Sequence, residues 1–152
     1  MIQRIQTLYL LGIVLLWGIL PFCLLSTFST PMEELTFCSM GIYHSIPERV
    51  LIYPTLELII IEVLIALIAG VSIFFFKKRM MQLRMSIFNG CLMVGFYLLF
   101  FFLVWMECRA LGAEWHISFP LCFPIVAFIL NYLAIRGIAS DEALVRSLDR
   151  IR

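Results

Sequence analysis

The sequence predicts an all-α polytopic membrane protein: four transmembrane helices in an antiparallel bundle, followed by a short C-terminal amphipathic helix. Three observations carry that prediction. Of the 152 residues, 63% are apolar and only 14% are charged, against roughly 45–50% and about 25% in a soluble domain. Four runs with few or no charges are each long enough to cross a hydrocarbon core of about 30 Å at about 1.5 Å per helical residue. The basic residues fall almost entirely on one set of alternate connections. So few charges cannot cover a soluble domain of this length, which excludes a secreted disulfide scaffold, a nucleic-acid binder and a disordered tail.

The first span is expected over about 7–28, within a charge-free run from Ile5 to Met32. That run is too long for a signal-peptide core and has no small-x-small cleavage site, so it reads as retained. The second span, about 54–76, starts with Pro54 in a first turn that needs no intrahelical N–H bond and carries Glu57 and Glu62. The third and fourth occupy the charge-free runs 85–106 and 115–135. Pro124 falls inside the fourth, where it removes a helical hydrogen bond and predicts a kink. An alternative register, Phe119 to Ala139, lets Arg136 snorkel to the headgroups. Residues 29–53 form the longest connection, with room for local structure. No internal repeat divides the chain, so 1–152 is a single membrane domain.

Ser140 is placed to cap a further helix over 140–152, with Asp141 and Glu142 in its first turn and Arg150 and Arg152 near its end. Leu144, Val145, Leu148 and Ile151 share one face of it, and Glu142 precedes Arg146 by four. Such a helix either lies in the membrane interface or docks a partner, or it simply extends the fourth span.

Arg4, Lys77, Lys78, Arg79, Arg84, Arg136, Arg146, Arg150 and Arg152 share one side of the predicted topology. Arg49 and Arg109 fall on the other, with seven of the ten acidic residues. Basic residues collect on the cytoplasmic side, so both termini are expected there.

Within the spans, Glu62 is the most informative residue, because an ionisable group in a bilayer usually faces the protein interior. It lies in the outer leaflet, about 140° round the helix from Glu57, so the two do not form one carboxylate face. One reading makes Glu62 a proton or cation site partnered by Arg49, Arg109 or His116, and the other a carboxylate satisfied at the rim of the bundle. Asn89 and Asn131 are placed to hydrogen-bond across helices. The phenylalanine runs 74–76 and 100–102 read as lipid-facing, and Tyr53, Tyr97, Trp105 and Trp115 as an aromatic belt. Of the five cysteines, Cys38 and Cys108 fall in or beside outer loops and form a disulfide candidate, against the plainer reading of all five as small hydrophobes. With only His44 and His116 as histidines and no metal-ligand, phosphate-loop or nucleophile motif, no enzyme activity, metal or cofactor is expected.

The start MIQRIQTLYLL, the turn KKRMMQLR at 77–84 and the end NYLAIRGIASDEALVRSLDRIR at 131–152 resemble a family of small integral membrane proteins of Bacteroidota, classed as a domain of unknown function numbered 4293. The resemblance implies a four-span protein of the bacterial inner membrane and no established activity. It turns attention to the cytoplasmic face. The first functional expectation is therefore a non-enzymatic accessory or scaffold protein. Its basic surface, Arg4, Lys77, Lys78, Arg79, Arg146 and Arg150, would bind anionic membrane lipid, a cytoplasmic protein or a second copy, and no nucleic acid. The alternative is a small proton-coupled transporter working as a dimer through Glu62.

Overall fold

The computed structural model describes residues 2–30, 33–44 and 51–149, of which 2–4, 77 and 144–149 are described by backbone alone. Four helices, α1 (Ile2–Ile19), α2 (Leu56–Phe74), α3 (Arg79–Leu111) and α4 (Phe123–Asp149), make up most of it. Each has a stretch long and apolar enough to cross a membrane. Every helix packs on its neighbour in sequence, and α4 closes on α1, so the bundle is an antiparallel ring. The buried positions step by three and four: Gln6, Leu10, Ile13 and Trp17 on α1, and Leu58, Glu62, Ile65, Ala69 and Ser72 on α2. The same rhythm gives Gln82, Ser86, Asn89, Met93 and Phe96 on α3, and Ala127, Asn131, Ala134, Ile138 and Asp141 on α4. That spacing keeps one seam of each helix turned inward along its whole length. The opposite faces expose Leu8, Leu15, Ile60, Leu67, Phe74, Leu98 and Ile129, as lipid-facing surfaces do.

The fold is not purely α-helical. Five antiparallel strands, β1 (Leu24–Ser29), β2 (Glu34–Cys38), β3 (Gly41–His44), β4 (Leu51–Tyr53) and β5 (Glu114–Ile117), form one sheet in the order β4-β3-β2-β1-β5. It caps one end of the bundle, here the sheet end. The expected first span ran too far: α1 stops at Ile19, Leu20–Phe22 make a 3-10 turn, and Cys23 is already extended. Pro21 supplies no N–H to a continuing helix, and the following Leu-Leu-Ser-Thr-Phe-Ser segment suits a strand. The connection expected over 29–53 is largely the meander β2-β3-β4. An open sheet cannot sit in hydrocarbon with its backbone edges unpaired, so it belongs beyond the bilayer.

Two expectations about α4 also fail. The chain over 114–122 is strand and 3-10 turn, which leaves Pro124 as the second residue of α4. There its missing N–H breaks no hydrogen bond and forces no kink. At the other end α4 runs unbroken through Ser140 to Asp149, so residues 140–149 form no separate helix and Ser140 is no cap; of the two readings of this segment, the structure has the plain extension of the fourth helix. Ile138 and Asp141 continue the buried seam of the span, and that tertiary packing overrides the capping signal. Residues 150–152 lie outside the described part.

Sheet and bundle share one core. Phe28 of β1 meets Phe37 of β2 at 5.8 Å between ring centroids, Phe37 stacks on Phe100 of α3 at 5.7 Å, and Trp17 stands edge-on to Phe96 at 4.9 Å. Phe100, expected to face lipid, is fully buried, whereas Phe74 is 80% exposed.

The β2-β3 turn, Ser39-Met40, ends at Gly41 with φ +153°. A Cβ on Gly41 would stand 2.5 Å from Leu51 Cδ1 and 2.5 Å from the Tyr53 carbonyl oxygen. Gly41→Ala is therefore expected to cost at least about 1–3 kcal/mol in backbone strain and to lower the unfolding midpoint in detergent by several degrees. Gly18→Ala, where a Cβ meets nothing within 4 Å, is expected not to lower it.

Candidate functional site

At the end opposite the sheet, the starts of α1 and α3 meet the second half of α4. This basic end carries Lys78, Arg79, Arg84 and Arg136. Asp141 extends the seam of α4 by one step beyond Ile138 and is buried. The side-chain amide of Gln6 donates to Asp141 Oδ2 at 2.8 Å, across 135 residues of sequence. The Arg79 guanidinium donates to the Asp141 backbone carbonyl at 3.3 Å. Three helices are thus tied at one residue. Gly137 makes room for the tie, since a Cβ there would stand 3.2 Å from Gln6 Cγ.

Between α1 and α4 this corner opens into a cleft of about 360 Å³, lined by Ile5, Gln6, Tyr9, Leu133, Arg136, Gly137, Ser140 and Asp141. Arg136 and Ser140 are exposed and, four residues apart, share a helix face. Arg136 is the first charged residue after the charge-free run 115–135, so the cleft lies where the apolar stretch of α4 ends. The antiparallel register puts Leu133 and Tyr9 at the inner end of the cleft, and Ile5, Ser140 and Asp141 at its rim.

Of the basic surface expected from sequence, Lys78 is exposed and Arg79 is half-buried against Asp141. Arg79 is therefore a structural tie as much as a surface charge. The side chains of Arg4, Lys77 and Arg146, and all of Arg150, lie outside the described residues. Gln6 and Asp141 were not singled out as a pair by sequence, although Asp141 follows Asn131, Ala134 and Ile138 at seam spacing.

Glu62 sits at the other candidate site, fully buried in the seam of α2, while Glu57 is exposed. Its partner among the described residues is neither Arg109 nor His116. Ser39 Oγ, from the β2-β3 turn, donates to Glu62 Oε1 at 2.5 Å, and Thr55 Oγ1 donates to the Ser39 carbonyl at 2.9 Å. Arg109 instead lies 4.4 Å from the Trp105 ring, His116 is exposed on β5, and Arg49 lies outside the described residues. No disulfide joins Cys38 to Cys108: all five cysteines are thiols, with Cys38 buried at the end of β2 and Cys108 on α3. Among the described residues no three His, Cys, Asp or Glu side chains converge on one point.

A family model described as a domain of unknown function (DUF4293) matches residues 2–151. No curated protein matches the chain.

The Gln6–Asp141 bond predicts a measurable coupling. Gln6→Leu strips a buried carboxyl of its donor, which costs about 1–3 kcal/mol. Asp141→Ala is expected to destabilise the Gln6→Leu protein less than it destabilises the unaltered one. A double-mutant cycle on unfolding in detergent measures the difference, and full additivity would show that the contact carries no energy.

Proposed function

The chain belongs to the DUF4293 family, and from that premise we propose that it is a non-enzymatic membrane scaffold that holds a phospholipid headgroup in the α1/α4 cleft. The single observation that supports this reading is the cleft itself: a cavity at the basic end of the helices with Arg136 and Ser140 on one face of α4 and Leu133 and Tyr9 at its inner end. A guanidinium and a hydroxyl suit a lipid phosphate, and Leu133 and the Tyr9 ring suit the start of its acyl chains. Asp141 beside Arg136 makes the cleft amphoteric, so it fits a headgroup bearing both phosphate and amine better than a purely anionic one. On this reading the basic end faces the cytoplasm of a bacterial inner membrane, as the distribution of Lys and Arg favours. The remaining basic side chains there add a diffuse attraction for anionic lipid, about 1 kcal/mol for each near the surface.

Native mass spectrometry of the protein released from nanodiscs of equal phosphatidylethanolamine and phosphatidylglycerol tests the assignment. One phosphatidylethanolamine is expected to stay bound, and Arg136→Ala with Ser140→Ala is expected to reduce its retention at least tenfold. Arg84→Ala, an exposed cation on α3 outside the cleft, is expected to change nothing. Equal retention by the double variant would refute the cleft as the site.

A further inference from the structure

The core of the bundle changes character at Glu62. Toward the sheet, the buried helix positions carry apolar or aromatic side chains, among them Leu58, Phe96, Phe100 and Val104, with the Trp17 indole N–H the unpartnered polar atom there among the described residues. Toward the basic end, buried polar side chains stand on all four helices: Gln6 on α1, Ser72 on α2, Ser86 and Asn89 on α3, and Asn131 on α4. Many of their atoms have no partner. Ser72 Oγ, Ser86 Oγ, both polar atoms of Asn89 and Asn131 Oδ1 make no hydrogen bond, and neither does Glu62 Oε2 above them. Each of these residues is at most 1% exposed.

The unpartnered atoms lie along one path. Asn131 donates to the Ser86 carbonyl at 2.9 Å, which sets α3 and α4 level there. Ile61 Cδ1 lies 3.7 Å from where a Cβ on Gly95 would stand, which sets α2 against α3. Counting down the two antiparallel helices from that pair puts Ser72 within a turn of Ser86. It puts Asn89 about five residues, roughly 7.5 Å, below the level of Glu62. Lipid offers these groups nothing to bond to, and buried polar atoms in folded proteins are otherwise satisfied by protein or by ordered water. A buried water needs two to four polar partners, and this seam offers them in succession. Ala69, Ser72, Ser86 and Ala134 keep the buried side chains along this seam short.

We infer that the basic half of the bundle core is a water-filled half-channel. It opens at the basic end, passes Ser72, Ser86, Asn131 and Asn89, and stops at Glu62 beneath the aromatic plug of Trp17, Phe96 and Phe100. Glu62 is then reached by water from one face of the membrane only. The Ser39–Glu62 hydrogen bond and the sheet close the other.

Cysteine accessibility tests this in sealed proteoliposomes of known orientation, with the five native cysteines replaced. A small charged methanethiosulfonate added on the side of the basic end is expected to label Ser72→Cys, Ser86→Cys and Asn89→Cys at least tenfold faster than Val104→Cys in the plug. Added on the sheet side, it is expected to label none of them. Rates at 72, 86 and 89 no faster than at 104, or equal from both sides, would overturn the half-channel. Asn89→Leu gives a second measurement that needs no labelling. In a hydrated seam it displaces water and strands Ser86 and Asn131, so the unfolding midpoint falls; in a dry seam it removes two unsatisfied atoms, and a midpoint that holds or rises overturns the proposal.

Discussion

The closure of α1 on α4 is the constraint on which the rest of this structure depends. In lipid the hydrophobic effect does not drive helices together, so association rests on close packing and on polar contacts between them. The α1/α4 contact has both. Gly12 admits Leu130, with a Cβ there only 3.2 Å from Leu130 Cδ1, and Gly137 admits Gln6. Gln6 then bonds Asp141, and Arg79 brings α3 to the same point. Once α1 and α4 are neighbours, the four inward seams face one another, and the cleft and the polar core are consequences of that arrangement.

The sheet solves a different problem. Four helices leave apolar side chains at the sheet end of the seam with no helix above them, and Phe28, Phe37, Leu35 and Ile42 from the strands complete that core. The continuous contact from Phe28 through Phe37 to Phe100 makes sheet and bundle one packing unit. Ser39 connects them through a polar contact, since its turn reaches Glu62 and is itself held by Thr55. Glu62 thus lies at the boundary between an aromatic half and a more polar half. Its burial is a property of the β2-β3 turn as much as of α2.

Much of the architecture was legible in the residue pattern, and the errors have identifiable physical causes. The four spans follow from long apolar runs, a signal that survives any arrangement of neighbours. Hydropathy does not distinguish a strand over 24–29 from the last turns of a helix, because both are apolar. The distinguishing marks were Pro21 and the alternation around Ser26, Phe28, Leu35 and Phe37, which needs the pairing of β1 with β2 to become decisive. Ser140 is a good capping residue in isolation, but Asp141 is worth more in the seam, bonded to Gln6, than in the first turn of a new helix. Phe100 and Phe101 are adjacent and chemically alike, and only the inward turn of α3 separates a buried ring from an exposed one.

The sequence by itself determined the number of spans, the gathering of Lys and Arg at one end, and the intramembrane carboxyl at Glu62. Each is a local quantity, a run length, a charge count or a single residue type, and the bilayer imposes it on any fold. Tertiary structure alone decided that the strands within 24–29, 34–44, 51–53 and 114–117 build a sheet, that Glu62 meets Ser39, and that Gln6 meets Asp141. Those are pairings between residues distant in the chain. They exist only once the helices have closed into a ring, because hydrogen bonds and side-chain packing act over a few ångströms and carry no trace in the sequence of which partner will be near.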